Sequence, residues 1–180
     1  MKITVYCGAT PGNDPSFMQE AHALGAWMAR EGHVLVWGCG DTGLMGAVSD
    51  GVLDAGGNAI GVIPHFLQEA EAPCPHNYNG RLVKEIVDDM PTRRNRMLEL
   101  GEAFIALPGG MGTLDEISEA IALAKFDMLK RPLIVMNVHG CYDALLQAFT
   151  DMVEQGFMAH ELLDSISVAT NAAEVAALLS

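Results

Sequence analysis

The 180-residue chain is 50% hydrophobic and 18% charged, and its formal net charge is −13. Apolar residues at this level can stabilise one buried core, which excludes a disordered chain. The chain is too short for two domains that each have a well-buried core. Nucleic-acid phosphates attract basic surfaces, so a chain this acidic is not expected to bind DNA or RNA. We predict one domain over residues 1–180.

The N-terminal residues enter a strand-like run directly, without the charged and apolar regions of a signal peptide. No apolar run approaches the roughly 20 residues of a membrane-spanning helix. The four cysteines (Cys7, Cys39, Cys74 and Cys141) have no CxxC spacing, which is typical of reduced thiols. We therefore expect a cytoplasmic protein with no membrane partner.

Short apolar runs alternate with longer amphipathic stretches along the chain. In chain order they predict a strand at 3–7, a helix at 16–30, a strand at 33–37, a helix at 44–55, a strand at 59–63, a long proline-containing loop at 64–81, a strand at 84–87, a helix at 91–100, a strand at 103–107, a helix at 113–128, a strand at 133–136, a helix at 142–155, a strand at 165–169 and a helix at 172–179. Alternating strands and helices are typical of a parallel sheet covered on both faces. The predicted fold is therefore an α/β, Rossmann-like open parallel sheet.

Three glycine-rich loops follow predicted strands, at residues 8–12, 38–43 and 109–113. Ligands of open parallel sheets bind at the carboxyl ends of the strands, where such loops lie. Glycine lets the backbone approach an anion closely, and a following helix supplies free N–H groups. We expect Gly8, Gly40 and Thr42 of the first two loops to contact a phosphorylated ligand.

The second loop matches the G-x-G-x-x-G pattern of dinucleotide-binding proteins at Gly38, Gly40 and Gly43. It follows the second predicted strand instead of the first, and the next strand does not end in an acidic residue that would hold a ribose. A tight turn whose glycine serves helix–sheet packing explains the pattern equally. Between ligands, phosphate or ribose contact is favoured over NAD.

The third loop joins a buried strand to a helix through Pro108 and three glycines. Thr113 and Glu116 fit a capping box, in which both side chains satisfy backbone donors, and Thr113 could still donate its hydroxyl to an anion. In the first helical turn the helix dipole would keep Glu116 ionised. Such a carboxylate suits stabilising a developing cation or polarising water, and does not suit donating a proton.

Arg93, Arg94 and Arg96 lie in one predicted helical turn and are three of only ten Lys and Arg residues. The guanidinium group is well shaped for an anionic ligand, so the cluster indicates one. For Arg96 a solvated helix face paired with Glu99, Glu102 or nearby aspartates is the preferred interpretation. The six histidines show no metal spacing such as HExxH, and no metal site is expected.

With these residues identified, the chain resembles the LOG (Lonely Guy) family of cytokinin riboside 5'-monophosphate phosphoribohydrolases. The family motif P-G-G-x-G-T-x-x-E is intact from Pro108 to Glu116, and M-x-x-R-K appears as Met90 to Arg94, with Arg94 in place of lysine. Residues 5–8 and 43–46 also look like the family. Members are often mislabelled as lysine decarboxylases, and no lysine of this chain lies in a PLP-binding context.

The resemblance implies a homodimer without a redox cofactor that hydrolyses the N-glycosidic bond of an N6-substituted adenosine 5'-monophosphate, releasing free base and ribose 5-phosphate. By carry-over, Arg93 and Glu116 are the catalytic pair, and Gly110, Gly112 and Thr113 hold phosphate. The remaining candidate substrate-binding residues are Met90, Arg94, Gly109, Met111, Leu114 and Asp115. Whether the substrate is prenylated on N6 or is plain AMP stays open.

A nucleotide-binding carrier or sensor of related Rossmann-like fold is the alternative interpretation. The discriminating feature is the combination of Arg93 with Glu116, because a protein that only binds nucleotides does not need a carboxylate beside the anion-binding loop.

Overall fold

A computed structural model of the protein describes residues 1–68, 80–126 and 129–180. Seven strands form one sheet: β1 (Lys2–Tyr6), β2 (Val34–Trp37), β3 (Asn58–Pro64), β4 (Leu82–Val87), β5 (Ala103–Ala106), β6 (Leu133–Met136) and β7 (Ile166–Ala169). The α-helices of this part of the chain are α1 (Pro15–Arg30), α2 (Gly43–Asp54), α3 (Met90–Leu100), α4 (Met111–Ala124), α5 (Asp143–Glu154), α6 (His160–Asp164) and α7 (Ala172–Leu178).

The strand order is β4-β3-β2-β1-β5-β6-β7, and every pairing is parallel. The chain runs outward from β1 to β4 on one side and returns to build β5 to β7 on the other. The order therefore reverses between β1 and β5. At such a reversal the loops leaving the two strands diverge, and a crevice opens at their carboxyl ends.

Two apolar clusters cover the two faces of the sheet. One contains buried residues of α1, α2 and α7, and the other contains buried or packed residues of α3, α4, α5 and α6. Helices α1 and α2 approach closely because Gly25 and Gly51 face each other's backbones, where a Cβ atom would overlap a carbonyl oxygen. The predicted parallel sheet with helices on both faces is confirmed.

Most predicted elements are observed with ends shifted by one or two residues, and β6 has the predicted bounds. Strand β4 begins two residues earlier than predicted, because its pairing with β3 begins already at Leu82. The sequence did not predict α6, a five-residue helix that is too short for a clear hydrophobic period.

The predicted long loop begins inside β3 at Pro64 and continues through a short 3₁₀ turn at His65–Leu67. Its residues 69–79 lie outside the described part of the chain, as do residues 127–128 at the predicted end of the fourth long helix. Among the described residues, none of the helices combines the length and apolarity needed to cross a bilayer.

Candidate active site

A cleft of about 350 Å³ opens at the carboxyl ends of β1 and β2, between helices α3 and α4. This volume is within the range of small-molecule sites. Nine of the residues predicted from the sequence as ligand-binding or catalytic line it: Gly8, Met90, Arg93, Arg94, Gly110, Gly112, Thr113, Asp115 and Glu116. The switch point of the sheet thus brings the first loop, the third loop and the arginine cluster together.

The first and third glycine loops are in direct backbone contact. The amide of Gly8 donates to the carbonyl of Pro108 over 3.1 Å, and the carbonyl of Gly8 accepts from the amide of Met45 over 3.2 Å. A Cβ atom at Gly8 would lie 3.3 Å from Cα of Gly109. Glycine at position 8 therefore permits the close approach that forms the floor of the cleft.

The predicted capping box is wrong. Helix α4 begins two residues before Thr113, its N-cap is Gly110 in an extended conformation, and no side chain caps it. Thr113 is instead buried at 3% exposure on the wall of the cleft. The glycines at 110 and 112 tolerate the helix start without a polar cap, and this moves Glu116 into the second helical turn.

Arg93 is the buried cation of the cleft, with 7% of its surface exposed. Its Nε donates to the carbonyl of Val62 over 3.2 Å, and its Nη2 donates to the carbonyl of Gly38 over 3.1 Å. Nη1 lies 3.8 Å from Sδ of Met90. The guanidinium is thus fixed by backbone carbonyls of Gly38 and Val62, and no carboxylate among the described residues is bonded to it.

Glu116 is largely buried on the opposite helix, and burial raises its pKa to about 7 against the opposing charge of Arg93. This corrects the expectation that the helix dipole would hold the group fully ionised, because loss of hydration outweighs the dipole in the second turn. The carboxylic acid and the carboxylate are therefore both well populated near neutral pH. Glu116 can exchange a proton as well as supply negative charge.

Arg94 lies beside Arg93 on the cleft side of α3 and pairs with two acidic residues of α4. Its Nη1 lies 3.3 Å from Oδ2 of Asp115, and its Nε lies 3.3 Å from Oε2 of Glu119. Both partners are at least one third exposed, so these ion pairs contribute little to stability. They leave Arg94 at the mouth of the cleft, where a phosphate could compete with the carboxylates.

Arg96 lies away from the cleft, as the sequence indicated. It holds Glu85 of β4 through two contacts, of 2.6 Å from Nε and 3.1 Å from Nη2, and Glu99 through a third of 3.2 Å. The expected pairing with Glu99 is confirmed, whereas Glu102 instead accepts from the backbone amide of Lys2. This arginine lowers the pKa of Glu85 and ties α3 to the edge of the sheet.

Five predicted binding residues lie outside the walls of this cleft. The hydroxyl of Thr42 donates to the carbonyl of Ala9, and the carbonyl of Gly40 accepts from the indole of Trp37. Gly109 packs against the side chain of Thr113. Met111 is 80% exposed, and Leu114 packs into the apolar layer between the sheet and α4.

The sequence analysis did not assign Val5, Cys7, Gly38 and Met45 to the site, although all of them line the cleft. Gly38 carried a usable signal, since it opens the glycine pattern after β2. The other three gave none, because apolar side chains at strand ends and helix starts are usual core residues. Within the described ranges, no group of three or more His, Cys, Asp or Glu residues is placed to hold a metal ion.

Comparison with known proteins places the chain in a family. The family model described as possible lysine decarboxylase matches residues 45–179. The cytokinin riboside 5'-monophosphate phosphoribohydrolase LOG of Oryza sativa subsp. japonica is 41% identical over 97% of this chain and 70% of its own length. The enzyme of that name designated LOG1 in Arabidopsis thaliana is 38% identical over 97% of this chain and 80% of its own length.

Solved structures share the fold at lower identity. The molybdenum cofactor binding protein of the phototrophic bacterium Rippkaea orientalis superposes with a TM-score of 0.70 at 22% identity, covering 99% of this chain and 94% of that one. A molybdenum cofactor carrier protein from Chlamydomonas reinhardtii gives 0.69 at 22% identity with the same coverage. These two likenesses establish the fold alone, whereas the family model and the plant relatives establish that the chain belongs to the LOG family, whose model carries the lysine decarboxylase description.

Proposed function

We propose that the protein hydrolyses the N-glycosidic bond of adenosine-type nucleoside 5'-monophosphates, releasing the free base and ribose 5-phosphate. The observation that carries the proposal is the placement of Arg93 and Glu116, both largely buried, in one cleft beside the open glycines 110 and 112. Membership of the LOG family supports the reaction, because the plant relatives bear that activity in their names.

The phosphate of the substrate is proposed to lie at the N-terminus of α4. Among the described residues, no atom of a neighbouring segment lies within 4 Å of the positions where a Cβ of Gly110 or Gly112 would be, so an anion has room to approach this turn of the backbone. The free amides and the helix dipole favour an anion there, and Arg94 adds a positive charge at the mouth. A local site of this kind can hold an anion although the whole chain carries a net charge of −13.

The chemistry is proposed to occur between Arg93 and Glu116. Water adds its oxygen to C1′ of the ribose, the bond from C1′ to the base nitrogen breaks, and that nitrogen takes the bonding electron pair and a proton. The ribose passes through an oxocarbenium-like state, which the ionised form of Glu116 stabilises. The same carboxylate can accept the proton that the attacking water loses, because its pKa of about 7 suits proton exchange near neutral pH.

Arg93 is proposed to orient the phosphoribosyl group through the N–H groups that Gly38 and Val62 leave unused. Its bonds to two carbonyls fix the guanidinium plane before the substrate arrives, and such preorganisation lowers the cost of reaching the transition state. We also propose that the chain is one cytoplasmic domain that acts as a homodimer without a metal or an organic cofactor. These last assignments rest on the resemblance to the family and on the sequence composition.

The test is base release from matched pairs of nucleotide and nucleoside. AMP and N6-prenylated AMP should both be compared with the corresponding nucleosides, with free base measured by chromatography. The 5'-monophosphates should be hydrolysed and the nucleosides should react at least about 100-fold more slowly in kcat/KM, because binding of the phosphate supports reaction at C1′. Equal kcat/KM for AMP and adenosine contradicts the proposal, and tight binding of AMP without base release favours a nucleotide carrier.

A further inference from the structure

The guanidinium of Arg93 occupies space that exists because residue 38 has no side chain. A Cβ atom built on Gly38 would overlap Nη2 of Arg93 and lie 2.9 Å from its Cζ. The next nearest atom is Sδ of Met45 at 3.3 Å. Gly38 does not have a positive φ angle, so backbone conformation does not require glycine at this position. What requires it is the position of Arg93.

The carbonyl of the same glycine also holds the guanidinium. It accepts from Nη2 over 3.1 Å, while Val62 accepts from Nε over 3.2 Å. The two bonds reach Arg93 from adjacent strands of the sheet, because Gly38 follows β2 and Val62 belongs to β3. Both position and orientation of the guanidinium plane are therefore set by backbone atoms, which move less than side chains.

The turn that directs the Gly38 carbonyl is itself fixed by two contacts. Cys39 has a φ angle of 65°, a left-handed conformation that is uncommon for a residue with a side chain. The indole of Trp37 donates to the carbonyl of Gly40 over 3.2 Å and closes the turn. The Cys39 side chain fills space left by Gly61, where a Cβ atom would lie 2.5 Å from Sγ and 2.7 Å from Cβ of the cysteine.

We propose that Gly38 is a positioning residue for Arg93, and that Gly61 and the left-handed Cys39 hold its carbonyl in place. The absent side chain admits the guanidinium, and the carbonyl orients it toward the cleft. Gly38 acts on the reaction only through Arg93. The inference rests on the proposed function, because the rate that Gly38 is expected to affect is the rate of base release. The position of Arg93 can nevertheless be measured in a protein that is not turning over substrate.

The pKa of Glu116 depends on where the guanidinium of Arg93 lies and can therefore be used to detect its displacement. The groups whose charges act on it are Arg93 and Arg94 of α3 and Asp115 and Glu119 of α4. Its own charge acts on Tyr6, the last residue of β1, and on Cys7, which follows it. Burial raises the pKa of Glu116 to about 7, and Arg93 is the strongest of the groups that oppose this rise. Moving Arg93 away therefore raises the pKa of Glu116 further, since less positive charge stabilises the carboxylate.

The experiment compares Gly38→Ala with wild type and repeats the comparison on an Arg93→Ala background. The fold should survive, because the Cβ overlaps only the end of the Arg93 side chain, makes a tight contact with Sδ of Met45 and overlaps no backbone atom. We expect kcat for base release from AMP to fall by about 10- to 100-fold, the cost of a misplaced catalytic group. The pKa of Glu116, read from carboxyl chemical shifts in labelled protein, should rise above its wild-type value. On the Arg93→Ala background, Gly38→Ala should change neither quantity.

Several results overturn the proposal. A folded Gly38→Ala protein with unchanged kcat and an unchanged pKa of Glu116 does so, and so does an equal loss of rate on both backgrounds. If the wild-type protein releases no base from any nucleotide, the proposed function fails, while the titration of Glu116 still tests the position of Arg93.

A second pair of variants covers the case in which Gly38→Ala does not fold. Gly61→Ala should displace Cys39 and with it the carbonyl of Gly38, so both kcat and the pKa of Glu116 should respond. Adding Cys39→Gly removes the overlapping side chain and should restore both quantities. A loss that Cys39→Gly fails to restore contradicts the part assigned to the turn.

Discussion

The glycine-rich loop that follows β2, here the crowded loop, has the side-chain space of Gly38 and Gly43 filled, whereas the loop that follows β5, the open loop, leaves that space free at two of its three glycines. In the first, a Cβ atom at Gly38 would meet Arg93 and one at Gly43 would overlap the backbone of Ala9 and Thr10. In the second, Gly109 is crowded by the side chain of Thr113, but Gly110 and Gly112 have no atom of a neighbouring described segment within 4 Å of the corresponding positions, and both line the cleft. The two loops look alike in sequence and use glycine for different physical reasons.

The difference distinguishes glycines that allow chain segments to pack against one another from glycines that leave room for a ligand. Glycines of the β2 loop let parts of the chain approach one another, which places Arg93 and joins the loop to residues 9–10. Gly110 and Gly112 of the β5 loop leave room that nothing in the described chain fills, which is the property expected of a ligand-binding surface. Packing thus accounts for Gly38 and Gly43 of the G-x-G-x-x-G pattern after β2, without a dinucleotide.

The largest expected effect tests the chemistry beside the open loop. Glu116→Gln keeps the size of the side chain and removes its ability to ionise. We expect kcat for base release to fall by about 10²- to 10⁴-fold, the usual contribution of such a group, while AMP still binds. In the wild-type protein the rate should rise with pH through about 7 as Glu116 ionises, and this limb should disappear in the variant. The measurements are a pH–rate profile and calorimetric binding of AMP.

Thermal stability is the control for that variant. The folded-state pKa of Glu116 is raised from 4.5 to about 7, so the wild-type protein loses stability as pH rises through this interval and the carboxyl is forced to ionise while buried. Glutamine avoids this cost, and the variant should melt no lower than wild type at pH 8. A folded variant that binds AMP and retains wild-type turnover would remove Glu116 from the mechanism.

The next effect distinguishes the supported arginine from its neighbour on the same helix. Arg93→Ala should lower kcat/KM by at least about 100-fold, because it removes the only guanidinium that the backbone carbonyls of Gly38 and Val62 fix in the cleft. Arg96→Ala should change kcat/KM less than about threefold, since its partners are Glu85 and Glu99 at the surface. Equal losses would mean that burial and backbone bonding do not mark the functional arginine.

Features that depend on neighbouring residues could be predicted from the sequence, whereas features that depend on residues far apart in the chain could not. The strands and the parallel sheet were predictable because the hydrophobic period is a local pattern, and the pairing of Arg93 with Glu116 was implied by the resemblance to the LOG family. The burial of Glu116 was not, since it depends on how α4 packs against β1 and β5 of the sheet. The function of Gly38 also required the structure, because the residue that fills its empty side-chain position lies 55 residues later in the chain.

The start of α4 is an example of a helix boundary that the sequence pattern predicted incorrectly. A T-x-x-E pattern predicted a cap at Thr113, yet the helix begins at Met111 and Thr113 is buried. A capping pattern records only which side chains could bond to the backbone, whereas the position of the helix start depends on how the loop packs against Gly8. The local pattern predicted a helix capped by Thr113, whereas in the folded chain the helix begins at Met111.

The smallest expected change in rate compares one glycine from each loop. Gly43→Ala places a side chain at a φ angle of +56° and against the backbone of the first loop, so it should lower the free energy of unfolding by at least about 2 kcal/mol. Gly112→Ala lies in open space within a helix, where alanine is favoured by up to about 1 kcal/mol, so stability should hold or improve.

For substrate affinity the order of the two variants should be reversed, with the larger change in Gly112→Ala. The methyl group of Gly112→Ala projects from the wall of the cleft where the phosphate is proposed to lie, and KM for AMP should rise about tenfold, equivalent to about 1.4 kcal/mol of binding free energy. The part of the Gly43→Ala population that stays folded should show a smaller rise in KM than Gly112→Ala, because Gly43 does not line the cleft and acts on it only through Ala9 and Thr10. Urea titration measures the first quantity and initial rates over a range of AMP concentrations measure the second. If both variants lose stability and neither changes KM, the open loop is packing like the crowded one, and the phosphate must bind elsewhere.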